Sequence, residues 1–175
     1  CGPRGTGKTT TARVLSKAIN CLAIEEGNPC NNCIMCTSSN EGKFLDTIEL
    51  DAASNRGIDE IRSIKEKINF LPTEGSKKVY IIDEAHMLTD QASNAFLKTL
   101  EEPPSHVTFI LCTTEPQKIL PTILSRCQRY DFRKITHPIV VQRLQSIIES
   151  EGIVAENSSL EVIAQSCDGS LRDAE

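Results

Sequence analysis

An α/β fold with a parallel sheet, followed by a segment built of helices only, is what this sequence predicts, on three observations. Strand-like apolar runs alternate with helix-like periodic segments over residues 1–134, the pattern of parallel strands joined by helical crossovers. The run VYIID, residues 79–83, is apolar until it ends in acid, as suits a central strand buried on both faces. From about Thr136 the strand signals stop and only helical periodicity remains. The boundary therefore falls near residues 133–136, between a domain of residues 1–134 and a second one of residues 135–175.

The chain opens on GPRGTGKTT, residues 2–10, which fits the phosphate-loop pattern of glycine, four residues, glycine, lysine and a hydroxyl residue. Gly2, Gly5 and Gly7, with Thr6 between the last two, let successive backbone N–H groups converge on an anion, and the helix that follows adds the positive end of its dipole. Lys8 would reach the terminal phosphates as a point charge. Thr9 would offer its hydroxyl to magnesium, a hard cation that prefers oxygen ligands, and Thr10 completes the nucleotide-binding stretch. The bland alternative is a glycine-rich turn before an ordinary helix. Such a loop joins a strand to a helix, and here it begins at residue 2, while SLRDAE at the other end reads as a helix start. The expectation is a piece of a longer protein, lacking its first strand and part of its last domain.

Lys8 to about Asn20 reads as a helix, with Ala12, Leu15, Ala18 and Ile19 at helical spacing. Four of the eight cysteines then cluster: Cys21, followed by Cys30, Cys33 and Cys36 in CNNCIMC. Two overlapping C-x-x-C steps plus one cysteine a short loop away supply four thiolates for a closed, structural zinc site over residues 21–36. Pro29, Asn31 and Asn32 favour the tight turns of such a knuckle. A redox pair is the competing reading. Burial as small apolar residues accounts best for Cys1, Cys112, Cys127 and Cys167.

FLDTIEL, residues 44–50, suits a strand. Ile58, Ile61, Ile64, Ile68 and Leu71 form an apolar stripe on a helix that Pro72 closes, with the isoleucines as core. After the strand at 79–83, Thr89 caps a helix carrying Phe96, Leu97 and Leu100 that stops at Pro103-Pro104, and VTFILCT, residues 107–113, is a further buried strand. Helices are expected at 136–150, stopped by Gly152, at 157–167, and from Ser170 onward, with Leu144, Ile147, Ile148, Leu160 and Ile163 as apolar faces of a small bundle. In a parallel sheet of this kind ligands sit at the carboxyl ends of the strands. The loop at 2–9, Asp83-Glu84 and Thr113-Thr114 are all expected to gather at that one edge.

The net charge of −5 argues against a free-standing protein that coats DNA, which would neutralise phosphates with a basic surface. It leaves open nucleic-acid contact inside an assembly. Neither an apolar run long enough for a bilayer nor a secretory leader is visible, so the cytoplasm, where thiols stay reduced, is the expected location.

Asp83 and Glu84 follow four apolar residues, as in nucleotide hydrolases that present a magnesium ligand and a water-activating acid. Asp83 would hold the metal through its water shell, and Glu84 would orient and deprotonate the attacking water. The alternative is a pair of solvated acids in a turn. Asp83-Glu84-Ala85-His86 also spells the DEAH box of one helicase group, but no other helicase motif accompanies it, and His86 reads as a local hydrogen-bonding or packing residue.

Taken in order, GPRGTGKTT, the four-cysteine knuckle, IIDEAHML (81–88), NAFLKTLEEPP (94–104), TTEPQKILPTILSRC (113–127) and DGSLRDA (168–174) resemble the bacterial DNA polymerase III gamma/tau subunits of the replicative clamp loader. The resemblance spans nearly the whole chain, and the knuckle points to the bacterial members. It implies an AAA+ module, a RecA-like parallel sheet with an inserted zinc knuckle followed by part of an all-α lid. It also implies an ATPase that loads the sliding clamp onto primed DNA, with ATP, magnesium and structural zinc as cofactors. Partners implied are delta, delta-prime and further gamma/tau copies in a hetero-oligomeric ring, the sliding clamp and primer-template DNA. By the same resemblance Thr114 matches a first sensor of the γ-phosphate, with Thr113 the neighbouring candidate. Arg126 matches an arginine finger acting in the adjacent subunit, though alone it reads equally as a surface ion pair. Arg172 matches a second sensor, in the first turn of a lid helix that Ser170 caps. Two other readings remain. One is a non-hydrolysing, delta-prime-like structural subunit, against which Lys8, Thr9 and Glu84 speak; the other is an unrelated AAA+ DNA motor such as a helicase loader.

Overall fold

A computed structural model describes all 175 residues. The chain forms two compact units, one of residues Thr9–Arg129 and one that joins Cys1–Lys8 to Tyr130–Glu175.

In the larger unit, strands β1 (Thr47–Asp51), β2 (Lys78–Asp83) and β3 (Val107–Leu111) make a parallel sheet in the order β1-β2-β3. Val79, Tyr80, Ile81 and Ile82 of β2 are fully or almost fully buried, because the central strand has layers on both faces. On one face α3 (Ile58–Lys67) and α4 (Asp90–Glu101) supply Ile61, Ile64, Ala92 and Phe96 to the core, together with Tyr80 and Ile82. Phe109 stacks on Tyr80 at 5.5 Å and meets Phe96 edge-on at 4.9 Å. On the other face Ala12 of α1 (Lys8–Ile19) packs against Val79, Ile81 and Cys112. Helical crossovers join β1 to β2 and β2 to β3, and no helix of the chain is long and apolar enough to cross a membrane.

The elements depart from the expected ones in ways that have physical causes. β1 starts at Thr47, not at residue 44, because the chain still turns at Asp46. Its fully buried carboxylate accepts the backbone N–H groups of Thr73, Glu74 and Gly75 at 2.7–2.9 Å and so ties down the loop after Pro72. α3 stops at Lys67, one turn short of Pro72, and although Ile68 remains buried, Leu71 is 73% exposed and Phe70 67% exposed. Leu71 is therefore no part of the core stripe. Two short helices escape the periodicity reading, α2 (Ile34–Asn40) and α5 (Pro121–Leu124), since neither is long enough to show a repeat. Thr89 caps α4 as expected, its hydroxyl accepting from Ala92 N at 3.2 Å.

The smaller unit holds α6 (His137–Glu151), α7 (Asn157–Ser166) and α8 (Leu171–Ala174). Val140 and Leu144 pack on Leu160, Ala164, Cys167 and Ala174, while Ile163 stays 38% exposed. Gly152 ends α6 in the left-handed region, at φ +66°. Ser170 caps α8, its hydroxyl accepting from Asp173 N at 3.3 Å. Cys112 and Cys167 are buried, whereas Cys1 and Cys127 are partly so.

Candidate nucleotide site and cysteine cluster

Within the larger unit the carboxyl end of the sheet brings Thr9, Asp83, Glu84, Thr113 and Thr114 together. β2 ends on Asp83, and Thr113 and Thr114 lie just past β3. The Thr9 hydroxyl donates to Asp83 Oδ2 at 2.7 Å, and Asp83 Oδ1 accepts the N–H of Glu84 at 2.9 Å. Two hard oxygens are thus set side by side, 74 residues apart in the chain, and they suit a magnesium ion. Thr10 is exposed and lies one residue further along α1.

Glu84 has φ +46° and ψ +43°, a left-handed conformation that costs a non-glycine residue on the order of 1 kcal/mol and is concentrated at functional sites. Its neighbours hold it there. Ala85 N donates to Cys112 O at 2.9 Å, and Met87 N donates to Glu84 O at 2.8 Å in the 3-10 turn Ala85–Met87. The side chain is held too: the Thr114 hydroxyl donates to Glu84 Oε2 at 3.0 Å. Thr113, almost fully buried, instead faces His86 Nδ1 at 3.0 Å. The two adjacent hydroxyls thus take different partners. Thr114 is the one that meets the acid.

In the smaller unit the loop before α1 folds on itself and on the start of α8. The Lys8 ammonium donates to Pro3 O at 2.7 Å, and the Thr6 hydroxyl to the same oxygen at 2.8 Å. Gly5 sits at φ +72°, its carbonyl accepts from Leu171 N at 2.9 Å, and a Cβ there would lie 1.9 Å from Ser170 Oγ. Only glycine fits that close approach. Gly2 and Gly7 also have positive φ. Arg172 is exposed on α8, next in sequence to the residue that contacts Gly5.

Arg126 lies just after α5, and its hydrogen bonds go to residues other than the acid pair and its threonines. Its guanidinium donates through Nη2 to Glu101 Oε1 at 2.6 Å and through Nη1 to Thr122 O at 2.5 Å and Ser125 Oγ at 3.3 Å. The side chain remains one-third exposed. The ion pair allowed by the bare sequence therefore exists, and it holds the fork at the end of a helix.

The four clustered cysteines converge as their spacing requires. The sulfurs of Cys21, Cys30, Cys33 and Cys36 all lie within 4.8 Å of one another, and a tetrahedron of thiolates at the usual zinc distance needs separations of about 3.8 Å. The backbone N–H groups of Leu22 and Cys36 lower the Cys33 thiol to about 6. That of Cys30 lowers Cys21, whereas burial pushes Cys36 up to about 12. A partly pre-ionised set with one buried anchor fits a soft-ligand metal site. Lys17 of α1 binds Asn31 and Asn40 side chains at 2.6 and 2.8 Å, tying the knuckle to the sheet unit.

Sequence reasoning missed Glu101, Glu115 and Asp46. A signal existed only for Asp46, an acid inside an otherwise strand-like apolar run. Glu115 reaches His86 Nε2 at 3.4 Å and Lys118 at 2.8 Å, a pairing with no mark in the local pattern.

A family model described as DNA polymerase III, delta subunit matches residues 1–136, and one described as DNA polymerase III clamp loader subunit, ATPase lid domain matches residues 139–174. The tau subunit of DNA polymerase III from Bacillus subtilis is 54% identical over 173 residues, covering 99% of this chain and 31% of that protein. The gamma/tau subunit from Mycoplasma genitalium is 50% identical over 172 residues, 98% of this chain and 29% of that one. The chain therefore spans less than a third of the length of these relatives. Among solved structures, the RuvB Holliday junction branch migration motor of Thermotoga maritima aligns with a TM-score of 0.65 at 16% identity, over 99% of this chain and 49% of that one. That likeness is one of fold, the RecA-like parallel sheet of AAA+ proteins with a helical lid. The chain accordingly belongs to the DNA polymerase III clamp-loader family, among the gamma/tau subunits.

Proposed function

We propose that this chain carries the ATP-binding and ATP-hydrolysing machinery of a clamp-loader motor subunit, with residues 1–134 as the nucleotide-binding domain and 135–175 as part of its lid. The observation that carries the reading is the 2.7 Å pairing of the Thr9 hydroxyl with Asp83, next to a Glu84 held in a strained backbone conformation at the end of a buried strand. Structural subunits have no use for that arrangement. A delta-like reading draws on the description of one family model, but Lys8, Thr9 and Glu84 together favour hydrolysis.

Each group has a task that suits its chemistry. The glycine loop and Lys8 bind the phosphates, with Lys8 exchanging its Pro3 carbonyl for phosphate oxygens. Thr9 and Asp83 would hold magnesium, which when bound neutralises phosphate charge. Glu84 accepts through Oε1 a proton from the water that attacks the γ-phosphorus as the bond to the ADP oxygen breaks. Thr114 keeps Oε2 occupied and the carboxylate oriented, sensing whether the γ-phosphate is there. Arg126, permanently charged and planar, suits the transition-state oxygens of a neighbouring subunit. Arg172 in the lid would couple nucleotide state to lid angle by binding one state better. Clamp, primed DNA and the other loader subunits in a ring are the partners, in the cytoplasm.

The test is steady-state phosphate release by the full-length protein assembled with its partner subunits, clamp and primed DNA. Glu84→Gln should retain nucleotide binding and lose turnover by at least about a hundredfold, as expected for removal of a general base. Undiminished turnover would overturn the assignment.

A further inference from the structure

We infer that His86 is a positioning residue for Glu84, a buried strut that sets the carboxylate against Thr114 and is itself braced by Glu115. The inference rests on the hydrolytic reading above, and it goes further by giving a task to a residue that reading leaves idle. His86 is shielded almost completely, its side chain 7% exposed, although it follows the acid pair by only two residues. The 3-10 turn Ala85–Met87 bends the chain so that the ring comes back alongside Glu84. Nδ1 then lies 3.4 Å from Glu84 Oε2 and 3.0 Å from Thr113 Oγ1. On the far side Nε2 faces Glu115 Oε1 at 3.4 Å.

Glu115 is no loose partner. Its backbone N–H donates to Thr113 Oγ1 at 3.0 Å, and its carboxylate takes Lys118 Nζ on both oxygens, at 2.8 and 2.9 Å. The Lys118 ammonium keeps that carboxylate below its ordinary range, with His86 acting in the same direction. The ring is thus hydrogen-bonded at Nδ1 by Thr113 and faced at Nε2 by the Glu115 carboxylate, both on the segment after β3. Glu84 Oε2 is caught between a hydroxyl donor, Thr114, and this fixed ring.

A histidine that merely fills space would need no such double bracing. Glu84 does need it, because its left-handed backbone leaves the side chain without the support of regular secondary structure, and a general base displaced by about 1 Å loses on the order of a hundredfold in rate. Deleting the ring removes one wall of the carboxylate's slot and touches no phosphate-binding group.

The deciding experiment uses the full-length protein in its assembled loader, with single-turnover hydrolysis, equilibrium nucleotide binding and thermal melting measured on each variant. His86→Ala should lower the hydrolysis rate about tenfold or more while nucleotide affinity stays within about twofold. His86→Asn, whose amide can stand in for Nδ1, should recover part of the loss. Glu115→Gln should slow hydrolysis less, and adding it to His86→Ala should cost nothing further, because two members of one unit are not additive. An unchanged rate in folded His86→Ala overturns the inference, as does a loss that follows affinity or melting temperature, or an asparagine variant no better than alanine. Should His86→Ala not fold, normal rates in His86→Asn and Glu115→Gln would overturn it equally. A wild-type loader without ATPase activity would instead defeat the hydrolytic reading, and this inference with it.

Discussion

Replacing Arg126 with alanine separates two tasks that one side chain could have, because the two differ about fourfold in energy. In its own chain the guanidinium makes an ion pair with Glu101 at 2.6 Å and bonds to Thr122 O and Ser125 Oγ, while one-third exposed. An exposed pair of this kind is worth about 0.5 kcal/mol, and bonds to a helix-end carbonyl and a hydroxyl add about as much again. The loss of about 1 kcal/mol translates to roughly 2–4 °C in melting temperature for a chain of this size. A finger that stabilises charge in phosphoryl transfer is worth about 10³-fold or more in rate, and each factor of ten is about 1.4 kcal/mol of barrier. Arg126→Ala should therefore leave the protein nearly as stable and its own site's nucleotide affinity near normal, while hydrolysis at the adjacent site falls at least about a thousandfold. The assay is a mixed assembly in which either the mutant subunit or its neighbour carries a functional Lys8. Loss confined to the mutant subunit's own site would refute the reasoning, and so would a melting decrease large enough to explain the lost activity.

Two other outcomes follow from the same geometry. Asp46→Ala strips acceptors from three backbone donors, at about 1 kcal/mol each since the loop can reach water, and should lower stability by about 3 kcal/mol in denaturant titration. Burial alone would raise the Asp46 carboxyl, but the N–H groups of Gly75, Glu74 and Thr73 and the nearby Lys78 ammonium outweigh it and keep it below the ordinary range. Its stabilisation is then complete above the unfolded value of about 3.9 and is lost as pH falls towards the lower folded value, so wild type and Asp46→Ala should converge in acid. The purified protein should contain one zinc ion per four-cysteine cluster by metal analysis, and Cys33→Ser should lose it and melt lower. Because thiols must shed protons to bind and Cys36 holds its proton up to about 12, zinc affinity should weaken steadily as pH is lowered.

What the sequence disclosed, and what it withheld, divides by the distance along the chain over which each interaction acts. Helical periodicity, apolar strand runs, the hydroxyl caps at Thr89 and Ser170, and the C-x-x-C steps are patterns within about one turn or loop, and they located three strands of a parallel sheet, the capped helices and the converging sulfurs. β2 was legible because burial on both faces removes the polar alternation that would otherwise disguise a strand. β1 was misjudged by three residues because Asp46, although an acid in an apolar run, carries no local sign of its partners, which lie 27–29 residues on. The run from Ile58 to Leu71 kept helical spacing past the true end of α3, since spacing does not report whether the last apolar residue has anything to pack against.

The site divides in the same way. Asp83, Glu84 and the loop at 2–9 were recognisable as types in a spacing, yet their geometry rests on contacts that no local pattern encodes: Thr9 to Asp83 across 74 positions, Thr114 to Glu84 across 30, Thr113 to His86 across 27. The choice between Thr113 and Thr114 shows why. Adjacent residues in an extended strand alternate sides, so of two identical side chains Thr114 bonds Glu84 and Thr113 does not, and which one does so depends on the register of β3 against β2. That register pairs Ile82 with Leu111, and two residues of alternation beyond it put Thr113 inward on His86 and Thr114 on the carboxylate. A one-residue slip of β3 would exchange them. Which threonine meets Glu84 is thus specified by sheet packing between Val107 and Leu111, where hydrophobic side chains fix the pairing, more than by anything in the TTEP stretch itself.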